Sequence, residues 1–109
     1  MTPARGEVWW VRLDPTEGSE IRKTRPCLVL TADTLNKFRR TVVVIPYSTV
    51  AAAHPPITIR VTCQGKPAVA VIDQVRAIAK ERLVERIEVA PEDQFSAVAE
   101  ALAVVLELG

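Results

Sequence analysis

The 109-residue chain sets 14 basic against 13 acidic side chains and is 49% hydrophobic, which suits a single soluble domain over residues 1–109 with one modest core. No apolar run nears the ~20 residues that a membrane-spanning helix needs, and no apolar segment follows Arg5, so neither a span nor a secretory signal is expected. One histidine and two cysteines without CxxC spacing exclude a two-histidine acid–base pair within one chain and a His-rich metal site, and favour free thiols and a cytoplasmic location.

Glu7 to Leu13 reads as a strand, with Trp9, Val11 and Leu13 on one face and Val8 and Trp10 on the other. Asp14-Pro15 ends it, and residues 14–24 form a polar loop too long for a simple hairpin. Cys27 to Thr31 resumes as strand, and Ala32 to Phe38 predicts about one helical turn with Leu35 and Phe38 on its apolar side. Thr41 to Ile45 is the most continuous β-branched run and reads as a central strand closed by Pro46. A second long loop covers residues 48–56. Alternation over Ile57–Val61 predicts a half-buried strand; Gln64-Gly65-Lys66-Pro67 is a turn, and Ala68–Val75 a further strand. A short strand follows around Arg86–Val89. Beyond Pro91, Glu92 and Asp93, apolar residues recur at steps of 3, 4 and 7 from Phe95 to Leu106, the stripe of an amphipathic helix. This order of five to seven short strands and one terminal helix predicts an α+β, mainly β fold, a small twisted barrel with the helix packed on it.

The net charge of +1 hides an asymmetry. Arg22, Lys23, Arg25, Lys37, Arg39 and Arg40 stand against Asp33 alone over residues 21–40, whereas residues 81–100 are strongly acidic. Within the basic region, Pro26 biases Arg25 toward an extended conformation at the mouth of the strand that follows. A guanidinium fixed at such a rim can grip a phosphate through paired hydrogen bonds. No Walker loop, GxGxxG or GxSxG occurs. RNA cleavage by its own 2′-hydroxyl remains open, because the substrate brings the nucleophile and the protein need only deprotonate, orient and neutralise.

Arg5-Gly6-Glu7-Val8-Trp9, Asp14-Pro15-Thr16, Gly18-Ser19-Glu20, Arg25-Pro26, the strand leading to Pro46-Tyr47-Ser48-Thr49, and Asp73-Gln74-Val75-Arg76 with Lys80-Glu81-Arg82-Leu83 resemble, in order, the MazF/PemK family of toxin endoribonucleases. The resemblance implies an SH3-like small barrel (CcdB/PemK-like) with a C-terminal amphipathic helix. It also implies a homodimeric, metal- and cofactor-independent, sequence-specific ribonuclease acting on single-stranded RNA. The products would be 2′,3′-cyclic phosphate and 5′-hydroxyl ends, and a cognate antitoxin protein would neutralise the enzyme.

Matched position by position, the resemblance makes Arg25 the catalytic arginine and Ser48 the hydroxyl, with Thr49 in its place if the register slips by one. It gives Glu20 a role in proton transfer or base recognition. Asp73 and Gln74 offer hydrogen-bonding groups for a base edge, against an equal expectation of strand-end capping. Arg22, Lys23, Arg39 and Arg40 are candidates for the phosphate backbone, although each alone is more often a solvated charge. The competing readings are a gyrase-poisoning toxin of the same architecture and a non-catalytic SH3-like binding module. The former would be expected to end in a tryptophan-containing tripeptide, where this chain reads Leu106-Glu107-Leu108-Gly109.

Overall fold

The structure, a computed structural model, describes residues 2–13 and 23–108. Glu20 and Arg22 lie outside the described residues. The elements run β1 (Glu7–Arg12), β2 (Thr24–Val29), α1 (Asp33–Phe38), β3 (Thr41–Ser48), β4 (Thr58–Cys63), β5 (Lys66–Val71), β6 (Arg76–Ala79), β7 (Leu83–Val89) and α2 (Glu92–Val105). Short 3₁₀ turns at Ile72–Gln74 and Lys80–Arg82 flank β6.

All strand pairings are antiparallel, and the path β4-β5-β3-β2-β1-β7, with β6 also on β3, curls into a half-barrel capped by α2. The expected mainly β fold with one C-terminal helix is the fold the chain adopts. β3 organises it. One edge of β3 pairs β2 over Val44–Pro46, while the other edge carries β6 along Thr41–Val44 and then β5 at Tyr47 and Ser48.

Apolar side chains on both faces of β1, β2 and β3 split the burial in two, where the composition suggested one core. Val8, Leu28, Ile45 and Tyr47 pack beneath α2 with Val98 and Ala101. Trp9, Val11, Cys27, Val29, Val42 and Val44 form the second cluster on the opposite face. Trp9 therefore belongs to a core, whereas Trp10, on the other face, is only half-buried.

Three elements depart from the sequence expectation. β3 does not stop at Pro46: Pro46 sits opposite Cys27 and the strand continues to Ser48, since a proline is tolerated where no ladder donor is required of it. The strand expected over Ala68–Val75 ends at Val71, and a separate strand, β6, follows the 3₁₀ turn. In α1, Leu35 and Phe38 face solvent and Asn36 is buried instead, its Nδ2 donating to the Thr31 carbonyl at 2.7 Å. That hydrogen bond fastens the helical turn to the end of β2 and orients it against its apolar pattern.

Candidate active site

β2 and β3 pair with Cys27 opposite Pro46, Leu28 opposite Ile45 and Val29 opposite Val44. The pairing ends there, with Arg25 two residues before Cys27 in β2 and Ser48 two residues beyond Pro46 in β3. Arg25 is thus at the start of one strand and Ser48 at the end of its neighbour, both at the same end of the sheet.

The backbone around Arg25 is held on both sides. Pro26 pairs Trp10 of β1, and the buried Cys27 thiol donates to the Arg25 carbonyl at 3.6 Å. Burial pushes the Cys27 thiol up to about 12, against a smaller lowering by the charge of Arg76, so it stays a neutral packing group and not a nucleophile. The Arg25 side chain itself is exposed, and among the described residues its guanidinium has no hydrogen-bond or ion-pair partner. At the base of the preceding loop the Leu13 N–H donates to the Lys23 carbonyl at 2.9 Å, with Lys23 in a left-handed conformation at φ 67°. Leu13 and Lys23 therefore meet at the Arg25 end of the sheet.

Ser48 Oγ accepts the N–H groups of Val50 and Ala51, both at 3.2 Å. The hydroxyl shapes the turn that leaves β3 and keeps its own proton available for donation. Thr49 follows on the opposite face and lines a cavity of about 240 Å³ together with Arg25. A neighbouring cavity of about 480 Å³ is lined by both Ser48 and Thr49 and by Arg60. The two hydroxyls thus form a ridge between two concavities.

The 3₁₀ turn after β5 brings Gln74 to β6. Gln74 Oε1 accepts from Arg76 Nη2 at 3.1 Å, and Arg76 pairs with Val44 on the face shared by Cys27 and Ser48. Sequence reasoning treated Arg76 only as part of a motif. The signal that distinguishes it is its influence on the Cys27 thiol, which places a second cation beside the Arg25 face. Asp73 is exposed on the same turn. Arg39 and Arg40 lie elsewhere: they precede Thr41, at the opposite end of the 8-residue β3 from Ser48, roughly 23 Å of strand away. Among the described residues no three of His, Cys, Asp and Glu gather as metal ligands, and His54 is exposed in its loop.

The arginine–hydroxyl pair at the mouth of a half-barrel has relatives. Residues 4–106 match the family described as PemK-like, MazF-like toxin of type II toxin–antitoxin systems. The chain belongs to that family. It is 34% identical to endoribonuclease MazF9 of Mycobacterium tuberculosis over 113 residues, covering 95% of this chain and 96% of that one. Its fold superposes on the crystal structure of MazF from Deinococcus radiodurans with a TM-score of 0.89, at 24% identity and covering 99% of each chain. A mycobacterial endoribonuclease in complex with its cognate antitoxin matches with a TM-score of 0.81, at 18% identity, covering 98% of this toxin-family chain and 97% of that one. No helix among the described residues of this PemK-like chain is long and apolar enough to cross a membrane.

Proposed function

We propose that the chain is a sequence-specific endoribonuclease toxin that cuts single-stranded RNA without a metal ion. The observation that carries this reading is the exposed Arg25 guanidinium, without a partner among the described residues, at the same end of the β2–β3 pair as Ser48. The substrate's 2′-oxygen attacks the adjacent phosphorus, the bond to the 5′-oxygen breaks, and the products are a 2′,3′-cyclic phosphate and a 5′-hydroxyl. The proton lost from the 2′-hydroxyl must find a base, and another must reach the departing 5′-oxygen. Glu20, the carboxylate that the family resemblance matches to this role, suits the first transfer.

Arg25 takes the phosphate. Two parallel N–H donors match two non-bridging oxygens and neutralise the charge that builds on the phosphorane. A guanidinium is a poor base, so clamping is its task and proton abstraction is not. Ser48 donates its hydroxyl proton to a phosphate oxygen while its lone pairs hold the Val50 and Ala51 amides, a division that fixes its direction. Thr49 holds the next nucleotide on the far side of the ridge. Gln74, oriented by Arg76, presents its amide to a base edge. Arg39 and Arg40, from the far end of β3, steer the polyanion at long range and do not clamp the reacting phosphate. The family carries two further elements of the proposal: a homodimer, and neutralisation by a cognate antitoxin protein.

The test is incubation of purified protein with a long mixed-sequence RNA in excess EDTA, followed by mapping of the new ends. Cleavage that survives chelation, leaves cyclic phosphates and vanishes in Arg25→Ala is the expected result. Cleavage that needs added divalent ions, or that persists in Arg25→Ala, overturns the mechanism.

A further inference from the structure

The cavity shared by Arg25 and Thr49 has a far wall that the chemistry above does not use. It lies between the Trp10 indole and the tip of the β4–β5 hairpin, holds about 240 Å³, and is floored by Tyr47 and Ala68. That volume falls below the roughly 300–1,000 Å³ of pockets for drug-sized ligands and suits one flat ring system. Among the described residues the charged side chains that line it are Arg25 and Lys66, which favours an occupant attached to anionic groups.

The hairpin tip is built with unusual care. Gln64 and Gly65 both take positive φ, 54° and 75°, between the paired residues Cys63 and Lys66. Such tight turns favour Asn-Gly or Gly-Gly, and glutamine is a poor choice for the first place. The turn is held in this form because the Gln64 N–H donates to Glu88 Oε1 of β7 at 3.1 Å. A disfavoured residue retained and braced at a cavity rim points to work for its side chain. Its amide offers one donor group and one acceptor and has no partner among the described residues.

We propose that this cavity receives a single nucleobase of the RNA beside the cut phosphate, stacked on Trp10 and read along its edge by Gln64. The proposal rests on the ribonuclease reading and extends it to the origin of sequence preference. Stacking on an indole accepts any base, whereas an amide offering both donor and acceptor discriminates among base edges. Lys66, beside the ring, meets the phosphate next in line.

Two measurements test it. Trp9 is 4% exposed, so quenching of tryptophan fluorescence by added nucleic acid reports Trp10. Short homopolymers of A, C, G and U carrying 2′-O-methyl groups lack the attacking hydroxyl and bind without being cut. One of the four is expected to quench with about 10-fold higher affinity than the poorest, and Trp10→Phe should abolish the signal. Gln64→Gly should flatten the preference, since glycine keeps the turn at ease and removes only the amide. In parallel, cut sites are mapped on mixed-sequence RNA for the wild type and Gln64→Gly. Loss of base preference at one position next to the cut, with the others kept, supports the proposal. No quenching, equal quenching by all four homopolymers, or an unchanged preference in Gln64→Gly overturns it and leaves the cavity to a side chain of a protein partner. Base-selective quenching by a protein that cuts no RNA would keep the pocket and sink the nuclease. Cutting that ignores Gln64→Gly would do the reverse.

Discussion

Arginines along the β1–β2 ladder are used in opposite ways, and even at the Arg25 end Arg12 donates to the Glu81 carbonyl at 3.1 Å. At the end near α2, Arg5 Nε donates to the Leu30 carbonyl at 3.1 Å and its guanidinium lies 4.4 Å from the centre of the Phe95 ring. Arg86 nearby pairs with Glu7 at 3.1 Å, and the same carboxylate accepts from the Ala4 N–H and from Trp9 Nε1. At the other end, Arg25 is exposed and without an intramolecular partner among the described residues. Tied arginines fasten the chain. Arg25 is left able to meet a group from outside the chain.

That contrast can be broken most decisively at Arg25. Arg25→Ala is expected to lower kcat for RNA cleavage by about 10²–10³-fold, as loss of one charge-stabilising donor does elsewhere, with the thermal midpoint unchanged. Arg25→Lys should restore only part, since it keeps the charge and loses the fork. Next comes Ser48→Ala, expected to reduce cleavage by about 10²-fold, with Ser48→Thr near wild type. If Thr49→Val is the more damaging change, the reacting hydroxyl is one residue further along.

The tied end should show the opposite pattern, which urea or thermal unfolding measures directly. Glu7→Ala strands three donors and is expected to cost about 2–3 kcal/mol of stability, with kcat for the folded fraction kept. Arg5→Ala should cost about 1 kcal/mol, the worth of one hydrogen bond and an exposed ring contact. An equal loss of cleavage in Arg5→Ala would erase the distinction between the two ends.

The smallest effect concerns the thiols. Burial, reinforced by Glu88, raises Cys63, and burial raises Cys27 to about 12. An unfolded thiol ionises above roughly 8.5, so the stability these groups lend is complete below that pH and drains as pH climbs toward 12. The denaturation midpoint should therefore fall between pH 7 and pH 10, and fall less in Cys27→Ala. Native protein should label with a thiol reagent at half-buried Cys63 and not at Cys27.

Much of this was written in local sequence. Pro26 marks Arg25 as the opening of a strand, and the 3, 4, 7 spacing after Pro91 marks α2. β6 could not be read because Arg76-Ala77-Ile78-Ala79 has one large apolar residue and no period. Asn36 could not be read because its burial depends on one hydrogen bond to Thr31. That Arg25 and Ser48 lie at one end of the sheet was reachable only through family resemblance, since register between strands is a long-range property. The cavity beside Trp10 was less visible still: it joins β1, β2 and the β4–β5 turn, and nothing in any one of them announces the others.

The meeting of Arg25 with Ser48 has a bearing on the chain while it is being made. The arginine precedes the hydroxyl by 23 residues, and only the β2–β3 ladder draws them together. A copy in which that ladder has not yet formed holds the two groups apart, and on the proposed mechanism it cannot cut RNA.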